Sequence, residues 1–165
     1  MDYPKRKRNR LEHYDYSSPG AYFVTICTFE KKKLFWSDLV LDSITSPNAV
    51  RLPFLLSETG ALADMAIQNI PLHYPSITID RYVIMPNHVH LLLQIHEQPE
   101  GNFTCLQTVI GQMKRWTSKQ AGFPIWQKSF HEHVVRNKND YSEIWSYIDS
   151  NPIRWQDDCY FETGG

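Results

Sequence analysis

Apolar and polar positions divide the chain into segments with two different periodicities. Stretches rich in β-branched and aromatic residues are typical of strands, and three of them cover residues 21–29, 76–85 and 87–96. The second and third stretches are separated by Met85-Pro86-Asn87, which is a turn signal. A shorter stretch at residues 129–135 is a candidate for a further strand. The pattern therefore predicts four strands, two of them joined by a tight turn.

Three other segments carry apolar residues at helical spacing. The segment 60–70 follows the capping residues Ser57-Glu58-Thr59, and Pro71 is expected to stop this helix. The segment 103–121 is followed by Gly122, a common helix terminator. A last helix is expected over residues 140–150, with Asp140 as its N-cap and Asn151-Pro152 at its end. For residues 30–56 the sequence predicts irregular structure with a short hairpin.

The order of these segments is strand, helix, strand, strand, helix, strand, helix. The first six match the βαββαβ order of the ferredoxin-like α+β fold, in which helices cover one face of an antiparallel sheet. We therefore expect a single domain over residues 1–165, with a basic arm at 1–20 and one further helix near the C-terminus. In other proteins of this fold the open face of the sheet often binds nucleic acid. By analogy, we expect the same face to be a candidate nucleic-acid-binding surface here.

Composition narrows the class of protein. The 165 residues, 42% of them hydrophobic and 13% aromatic, suit one globular domain with a sizeable core. No apolar run approaches about 18 residues, and the basic start MDYPKRKRNR lacks the apolar part of a secretory signal. Three scattered cysteines without CxxC spacing (Cys27, Cys105 and Cys159) indicate reduced thiols. We expect a cytoplasmic protein with no membrane partner.

Positive charge is concentrated locally although the formal net charge is −1. Five of the first ten residues are Lys or Arg, and further cations stand at Lys31-Lys32-Lys33, Lys114, Arg115, Lys119, Lys128, Arg136 and Lys138. Such clusters can contact phosphates even when acidic residues elsewhere cancel the total charge. The alternative is that they are solvated tails and loop tips.

The segment 82–94, YVIMPNHVHLLLQ, places two imidazoles in an otherwise apolar run. Because side chains alternate along a strand, His88 and His90 point to the same face and could share one divalent ion at about 2.0–2.1 Å. The alternative is a pair of hydrogen-bonded histidines on a half-exposed strand. A second HxH, formed by His131 and His133, could complete a four-histidine site or lie on a solvent-facing edge.

The last predicted helix contributes two further candidates. Tyr147 and Asn151 are four residues apart, so they lie on one helical face about one turn from each other. Asn151 offers a carbonyl oxygen to a hard cation, and Tyr147 offers a phenol. The alternative for Tyr147 is an aromatic packing residue of an amphipathic helix that also contains Ile144 and Ile148.

Together these motifs resemble the single-tyrosine HUH transposases, particularly the REP-associated tyrosine transposases. The resemblance covers most of the chain and is carried by LEHYDYSSPGAYFVTICT, YVIMPNHVHLLLQ, IWQKSFHEHVVRN and YIDSNPIRW. The Met-Pro-Asn-His-x-His run joined to a downstream Tyr-x-x-x-Asn-Pro is specific, whereas either half alone would be only suggestive. The resemblance implies the ferredoxin-like palm with a tyrosine helix at residues 140–151.

Residue by residue, the resemblance implies that His88 and His90 bind a divalent metal and that Tyr147 is the nucleophile. Asn151 stands where REP-associated members place a third ligand, while insertion-sequence relatives tend to have Gln there. The implied activity is cleavage and rejoining of single-stranded DNA through a 5′-phosphotyrosine, on hairpin-forming repeats of the bacterial nucleoid. Magnesium or manganese suits this chemistry, and a purified sample could carry nickel or zinc. The protein would act as a monomer or a homodimer.

The cations that we expect to contact DNA fall into three groups. These are the arm residues Lys5, Arg6, Lys7, Arg8 and Arg10, the helical residues Lys114, Arg115 and Lys119, and the pair Arg136 and Asn137, which matches the family's Arg-Asn pair. Two other functions remain open at this stage. One is a hairpin-DNA-binding regulator without catalysis, and the other is a metal-dependent hydrolase of small phosphoesters that uses both HxH pairs and water.

Overall fold

A computed structural model describes residues 10–37, 56–101 and 103–151. Within these ranges the strands and helices follow the order that the sequence predicts. The strands are β1 (Gly20–Cys27), β2 (Ile77–Ile84), β3 (His88–Ile95) and β4 (His131–Val134), and the helices are α1 (Glu58–His73), α2 (Leu106–Ala121) and α3 (Lys138–Ser150). A short 3-10 turn, Phe29–Lys31, follows β1.

The strands form one sheet in the order β2-β3-β1-β4, and every neighbouring pair is antiparallel. This order, with α1 and α2 as the crossovers, confirms the ferredoxin-like prediction. Since β3 and β1 occupy the middle of the sheet, their side chains are buried on both faces. None of the helices in the part of the chain that the structure describes is long and apolar enough to cross a membrane.

The two faces of the sheet are covered by different helices. Val89, Leu91 and Leu93 belong to the main core, together with apolar residues of α1 and α2. Leu92 points to the other face, where it packs against Ile144 and Ile148 of α3. The helix α3 therefore lies on the face that the βαββαβ pattern leaves open, and it covers the face to which His88 and His90 point.

Several helix boundaries differ from the prediction, and α2, for example, begins at Leu106 and not at residue 103. The helix α1 continues through Pro71 to His73, because a proline in the last turn removes only one backbone hydrogen bond, and Tyr74 still closes the turn by donating to the carbonyl of Ile70. The helix α3 begins at Lys138, and its N-cap is Asn137, whose side chain accepts a hydrogen bond from the backbone N–H of Asp140. Asp140 is thus a first-turn residue and was wrongly expected to be the cap.

Some predicted features fall partly or wholly outside the described residues. The arm residues Lys5, Arg6, Lys7 and Arg8 lie outside them, as do residues 38–55, so the hairpin expected within residues 30–56 is represented only by a bridge between Trp36 and Leu56. That residues 1–165 form one domain stays a prediction, because the arm is described only from Arg10 onward.

A glycine at the first turn of α1 allows a close backbone approach, which leads to a stability prediction. A Cβ added at Gly60 would lie 2.1 Å from the carbonyl oxygen of Phe35, so the Gly60→Ala variant must displace backbone. We expect a loss of roughly 1–3 kcal/mol in the free energy of unfolding, measured by urea denaturation. Gly111→Ala in α2 is the matched control, because a Cβ there meets no atom within 4 Å. It should gain about 0.5–1 kcal/mol; equal losses in both variants would contradict the steric explanation.

Candidate functional site

The side chains of His88 and His90 meet on the α3 face of the sheet. They are 0% and 2% exposed, and their Nε2 atoms lie 3.1 Å apart. Both residues stand at the start of β3, directly after the Met85-Pro86-Asn87 turn, and β1 pairs Cys27 with His88 and Thr25 with His90. The alternation expected from the sequence therefore brings the two rings together, and burial in an apolar sheet holds them there.

Hydrogen bonds to the Nδ1 atoms orient both rings. The Nδ1 of His88 lies 2.8 Å from Oδ1 of Asn87, and the Nδ2 of Asn87 donates to the carbonyl of Lys31, which sets the direction of that amide. The Nδ1 of His90 lies 2.9 Å from the hydroxyl of Thr25. Because the amide oxygen of Asn87 only accepts, His88 donates through Nδ1 and presents its Nε2 to His90.

Tyr147 reaches the same place from α3. Its hydroxyl lies 3.5 Å from Nε2 of His90, and the two rings are 5.1 Å apart between centroids. Phe23 stacks on His90 and meets the edge of Tyr147, so it packs against both rings. Tyr147 is 42% exposed and borders an open groove of about 550 Å³ along α3. Ile144 and Ile148 are buried and pack this helix on the sheet, whereas Tyr147 is only partly buried, against Phe23 and His90.

Asn151 lies one turn beyond Tyr147, at the C-cap of α3. It is 3% exposed, and its Nδ2 has no hydrogen-bond partner among the described residues. A buried amide nitrogen without a partner costs about 1–3 kcal/mol, which makes such groups uncommon. The amide of Asn151 therefore retains bonding capacity at the end of the helix that carries Tyr147.

The residues of this site suit a divalent ion. Two nitrogens 3.1 Å apart can both lie about 2.0–2.1 Å from one ion, the distance typical of imidazole ligands. In the described ranges, no three His, Cys, Asp or Glu side chains come close enough to hold a metal together. An ion here would thus take two imidazoles and complete its coordination with neutral oxygen donors, such as the amide of Asn151, or with phosphate and water.

The second HxH pair lies elsewhere on the sheet. His131 and His133 are exposed on the edge strand β4, and Nε2 of His133 is 2.7 Å from a carboxylate oxygen of Asp140. His131 is opposite Thr25, which is opposite His90, so two strand spacings of about 4.8 Å separate the two pairs. The solvent-facing edge is therefore the better description, and the four-histidine arrangement is not formed.

Two polar contacts fasten α3 to β2, and sequence reasoning missed them. The hydroxyl of Tyr141 donates to Asp80 at 2.6 Å, and Arg81 forms an ion pair with Asp149 at 2.5 Å. The β2–β3 register shifts between Ile79 and Arg81, and such an irregularity turns the Asp80 carboxylate toward the helix. Burial, followed by the hydrogen bond to Asp80, raises the pKa of Tyr141 to about 12, so the phenol stays a donor at neutral pH.

These contacts predict that Tyr141→Phe loosens the helix that carries Tyr147. We expect both a loss of about 1 kcal/mol in unfolding free energy and faster amide hydrogen exchange over residues 144–150. The matched control is Tyr82→Phe, which removes a similar hydrogen bond to Asp64 on the opposite face of the sheet. The control should lose similar stability without the change in α3. Equal exchange of α3 in both variants would contradict the anchoring role.

Two of the predicted DNA contacts are engaged within the protein. The guanidinium of Arg10 forms an ion pair with Glu132, donates to the carbonyl of Phe130 and lies over the ring of Phe130. The Nζ of Lys114 donates to the carbonyls of Gln127 and Ser129. Burial, followed by the charge of Arg10, lowers the pKa of Lys114. Both cations therefore stabilise the fold locally, through contacts that the amino-acid composition does not predict.

The other predicted contacts lie on the surface in two separate places. Arg115 and Lys119 are exposed on α2, on the side of the sheet away from the histidine pair. Arg136 and Asn137 are exposed at the start of α3, where the side-chain oxygen of Asn137 is used as the N-cap. Contact of these residues with DNA stays a prediction.

The sequence is similar to those of several bacterial proteins. No protein-family model matches the chain. An uncharacterised protein of Haemophilus influenzae is 31% identical over 93% of this chain and 91% of its own length. A second H. influenzae protein, provisionally named a REP-associated tyrosine transposase, is 25% identical over 85% of this chain and 74% of its own. The REP-associated tyrosine transposase of Escherichia coli K12 is 32% identical over 46% of this chain and 44% of its own.

One solved structure supports the fold. A REP-associated tyrosine transposase bound to a REP hairpin superposes with a TM-score of 0.59 over 88% of this chain and 74% of the other. The sequences are 22% identical, so the likeness concerns the fold alone. It agrees with the ferredoxin-like sheet and the order of helices described above.

Proposed function

We propose that the chain, a relative of the REP-associated tyrosine transposases, cuts and rejoins single-stranded DNA beside hairpin-forming repeats through a covalent 5′-phosphotyrosine. One observation carries the proposal: the hydroxyl of Tyr147, a residue that is 42% exposed, lies 3.5 Å from Nε2 of His90, whose ring also faces His88. A nucleophile that solvent can reach, next to two side chains able to bind a metal, suits the transfer of a phosphoryl group to a protein side chain.

The reaction would proceed as an in-line exchange of ester bonds. The phenolic oxygen of Tyr147 bonds to the scissile phosphorus while the bond from phosphorus to the 3′ oxygen breaks. The phenol gives up its proton to water on the exposed side, and the departing 3′ oxygen takes one up. The product keeps one phosphodiester bond, now to Tyr147, so a second 3′-hydroxyl can reverse the exchange and join strands without ATP. Tyrosine suits this step because a phenolate, with a pKa near 10, is a better leaving group than an alkoxide.

The histidine pair would hold a divalent ion through the two Nε2 atoms, with Asn151 as a candidate third ligand. When bound, magnesium or manganese offsets the negative charge that develops on the phosphate oxygens. In this assignment Asn87 and Thr25 act on the rings alone: they fix the Nδ1 side of each imidazole and so keep both Nε2 atoms directed inward. Nickel or zinc would occupy imidazole ligands in a purified sample more tightly than magnesium.

The proposed partner is DNA that folds into a hairpin with unpaired flanks. The homologous structure that contains a REP hairpin supports this choice. A hairpin provides both a duplex to recognise and a single strand whose phosphate can enter the site beside Tyr147. The protein would act on the nucleoid as a monomer or a homodimer.

A denaturant-resistant protein–DNA adduct tests the proposal. The protein is incubated with manganese and a hairpin oligonucleotide labelled in its unpaired flanks, and the products are separated on a denaturing gel. We expect a labelled band at the mass of protein plus one DNA fragment. Tight binding without that band would favour the non-catalytic regulator. Metal-dependent cleavage of a small phosphodiester with no adduct would favour a hydrolase that uses water.

A further inference from the structure

A groove of about 740 Å³ lies between the C-terminal half of α2 and the segment 122–130. Its walls carry four cations, Lys114, Arg115, Lys119 and Lys128, and no carboxylate is among the side chains that line it. In a chain with a net charge of −1, such a surface is a local excess of positive charge. A concave surface of this size and sign fits a polyanion.

The wall formed by the segment 122–130 is fixed to the sheet. The backbone N–H of Phe29 donates to Ile125, and that of Gln127 donates to Cys27, so the segment extends the sheet beside the end of β1. On its other side, Lys114 holds the carbonyls of Gln127 and Ser129. Lys114 therefore stabilises the wall of the groove. Arg115 and Lys119 are exposed and can contact a ligand.

The groove and the histidine pair lie near the same end of the sheet, on opposite faces. Cys27, which accepts the hydrogen bond from Gln127, is directly opposite His88 in the β1–β3 register. The 3-10 turn Phe29–Lys31 lies between them and brings the lysine run 31–33 to the same end of the sheet. A strand that leaves the site beside Tyr147 can therefore pass around this end of the sheet to reach the groove on the other face.

We propose that this groove binds the single-stranded flank of the DNA substrate, with phosphates on Arg115, Lys119 and Lys128 and a base against Phe123. The proposal rests on DNA being the substrate of the site beside Tyr147. An unpaired strand is favoured over a duplex because Phe123 is a 41% exposed aromatic side chain in the groove. Unpaired bases can stack on such a ring, whereas bases within a duplex cannot.

The test compares DNA affinity for three oligonucleotides: a blunt hairpin, and the same hairpin with an unpaired 5′ or 3′ flank. Fluorescence anisotropy is measured for the wild type and for Arg115→Gln/Lys119→Gln/Lys128→Gln, across a range of salt concentrations. We expect the triple variant to bind at least one flanked hairpin roughly 10- to 100-fold more weakly at 0.1 M salt. The slope of log affinity against log salt should fall by about 2, since each phosphate contact on a single strand contributes about 0.7.

Two controls make the result specific. Lys138 is an exposed cation outside the groove, and Lys138→Gln should lose less affinity per charge. Phe123→Ala should weaken binding of the flanked hairpin by a factor on the order of 10 without changing the salt slope, because stacking releases no counterions. Loss of blunt-hairpin binding to the same extent would overturn the single-strand assignment, and so would unchanged affinity in the triple variant. Equal binding of polyglutamate in place of DNA would also overturn it.

The groove proposal and the proposed function are tested by separate measurements, so one can be overturned while the other stands. If the wild type forms no adduct at all, the proposed function fails, while the affinity measurements still decide what the groove binds. If the adduct forms and the flank makes no difference to affinity, the groove proposal alone is overturned.

Discussion

Tyr147→Phe should abolish the covalent protein–DNA adduct while leaving the affinity for the hairpin close to that of the wild type. The substitution removes only the oxygen that lies 3.5 Å from Nε2 of His90, and the ring can keep its contacts with Phe23 and His90. Loss of a nucleophile lowers the rate by a factor on the order of 10⁴ or more, since no other step can replace the missing bond. The measurements are the rate of adduct formation on a denaturing gel and the affinity by anisotropy.

Tyr74→Phe is the matched control for this experiment. Tyr74 follows α1, and its hydroxyl contacts Gln112 of α2, on the side of the sheet away from the histidines. It should form the adduct like the wild type. An adduct that persists in Tyr147→Phe would mean that another side chain attacks, and mass spectrometry of the digested adduct would identify it. Loss of DNA binding together with the adduct would show that the phenol acts in recognition and not as the nucleophile.

The second large effect is expected from His88→Ala, which should remove both the binding of manganese and the formation of the adduct. One imidazole cannot replace two ligands whose Nε2 atoms lie 3.1 Å apart, and Ala removes the ring that is hydrogen-bonded to the amide oxygen of Asn87. We expect adduct formation to slow by at least about 10²-fold, the scale seen when a group that stabilises transition-state charge is lost. Isothermal titration of manganese into the protein, without DNA, measures the ion separately from the reaction.

The second histidine pair is the control for this prediction. His133→Ala removes an exposed imidazole that is bonded to Asp140, so it should bind manganese and form the adduct like the wild type. Full metal binding in His88→Ala would overturn the assignment of the ligands. A loss in His133→Ala as large as in His88→Ala would instead revive a site built from both pairs, despite their separation on the sheet.

Patterns along the sequence predicted most of the secondary structure because local rules set it. Alternation in residues 87–96 placed His88 and His90 on one face of β3, and the turn at Met85-Pro86-Asn87 separated the strands where the structure separates them. Helical spacing placed Tyr147 and Asn151 one turn apart. Among the boundaries that failed, those at Pro71 and Asn137 depend on single hydrogen bonds at helix ends, where several residues can take the same position.

The sequence by itself determined which side chains share a face of a strand or helix, since those relations follow from backbone periodicity. Only the tertiary structure decided that Tyr147 lies against His90, 57 positions away, because that contact depends on Ile144 and Ile148 packing on Leu92 and on Asp80 and Arg81 anchoring α3. It likewise decided that Arg10 and Lys114 bind carbonyls and a carboxylate of the protein itself. Charge is readable from composition, but the partner of a charge is set by which surfaces come together when the chain folds.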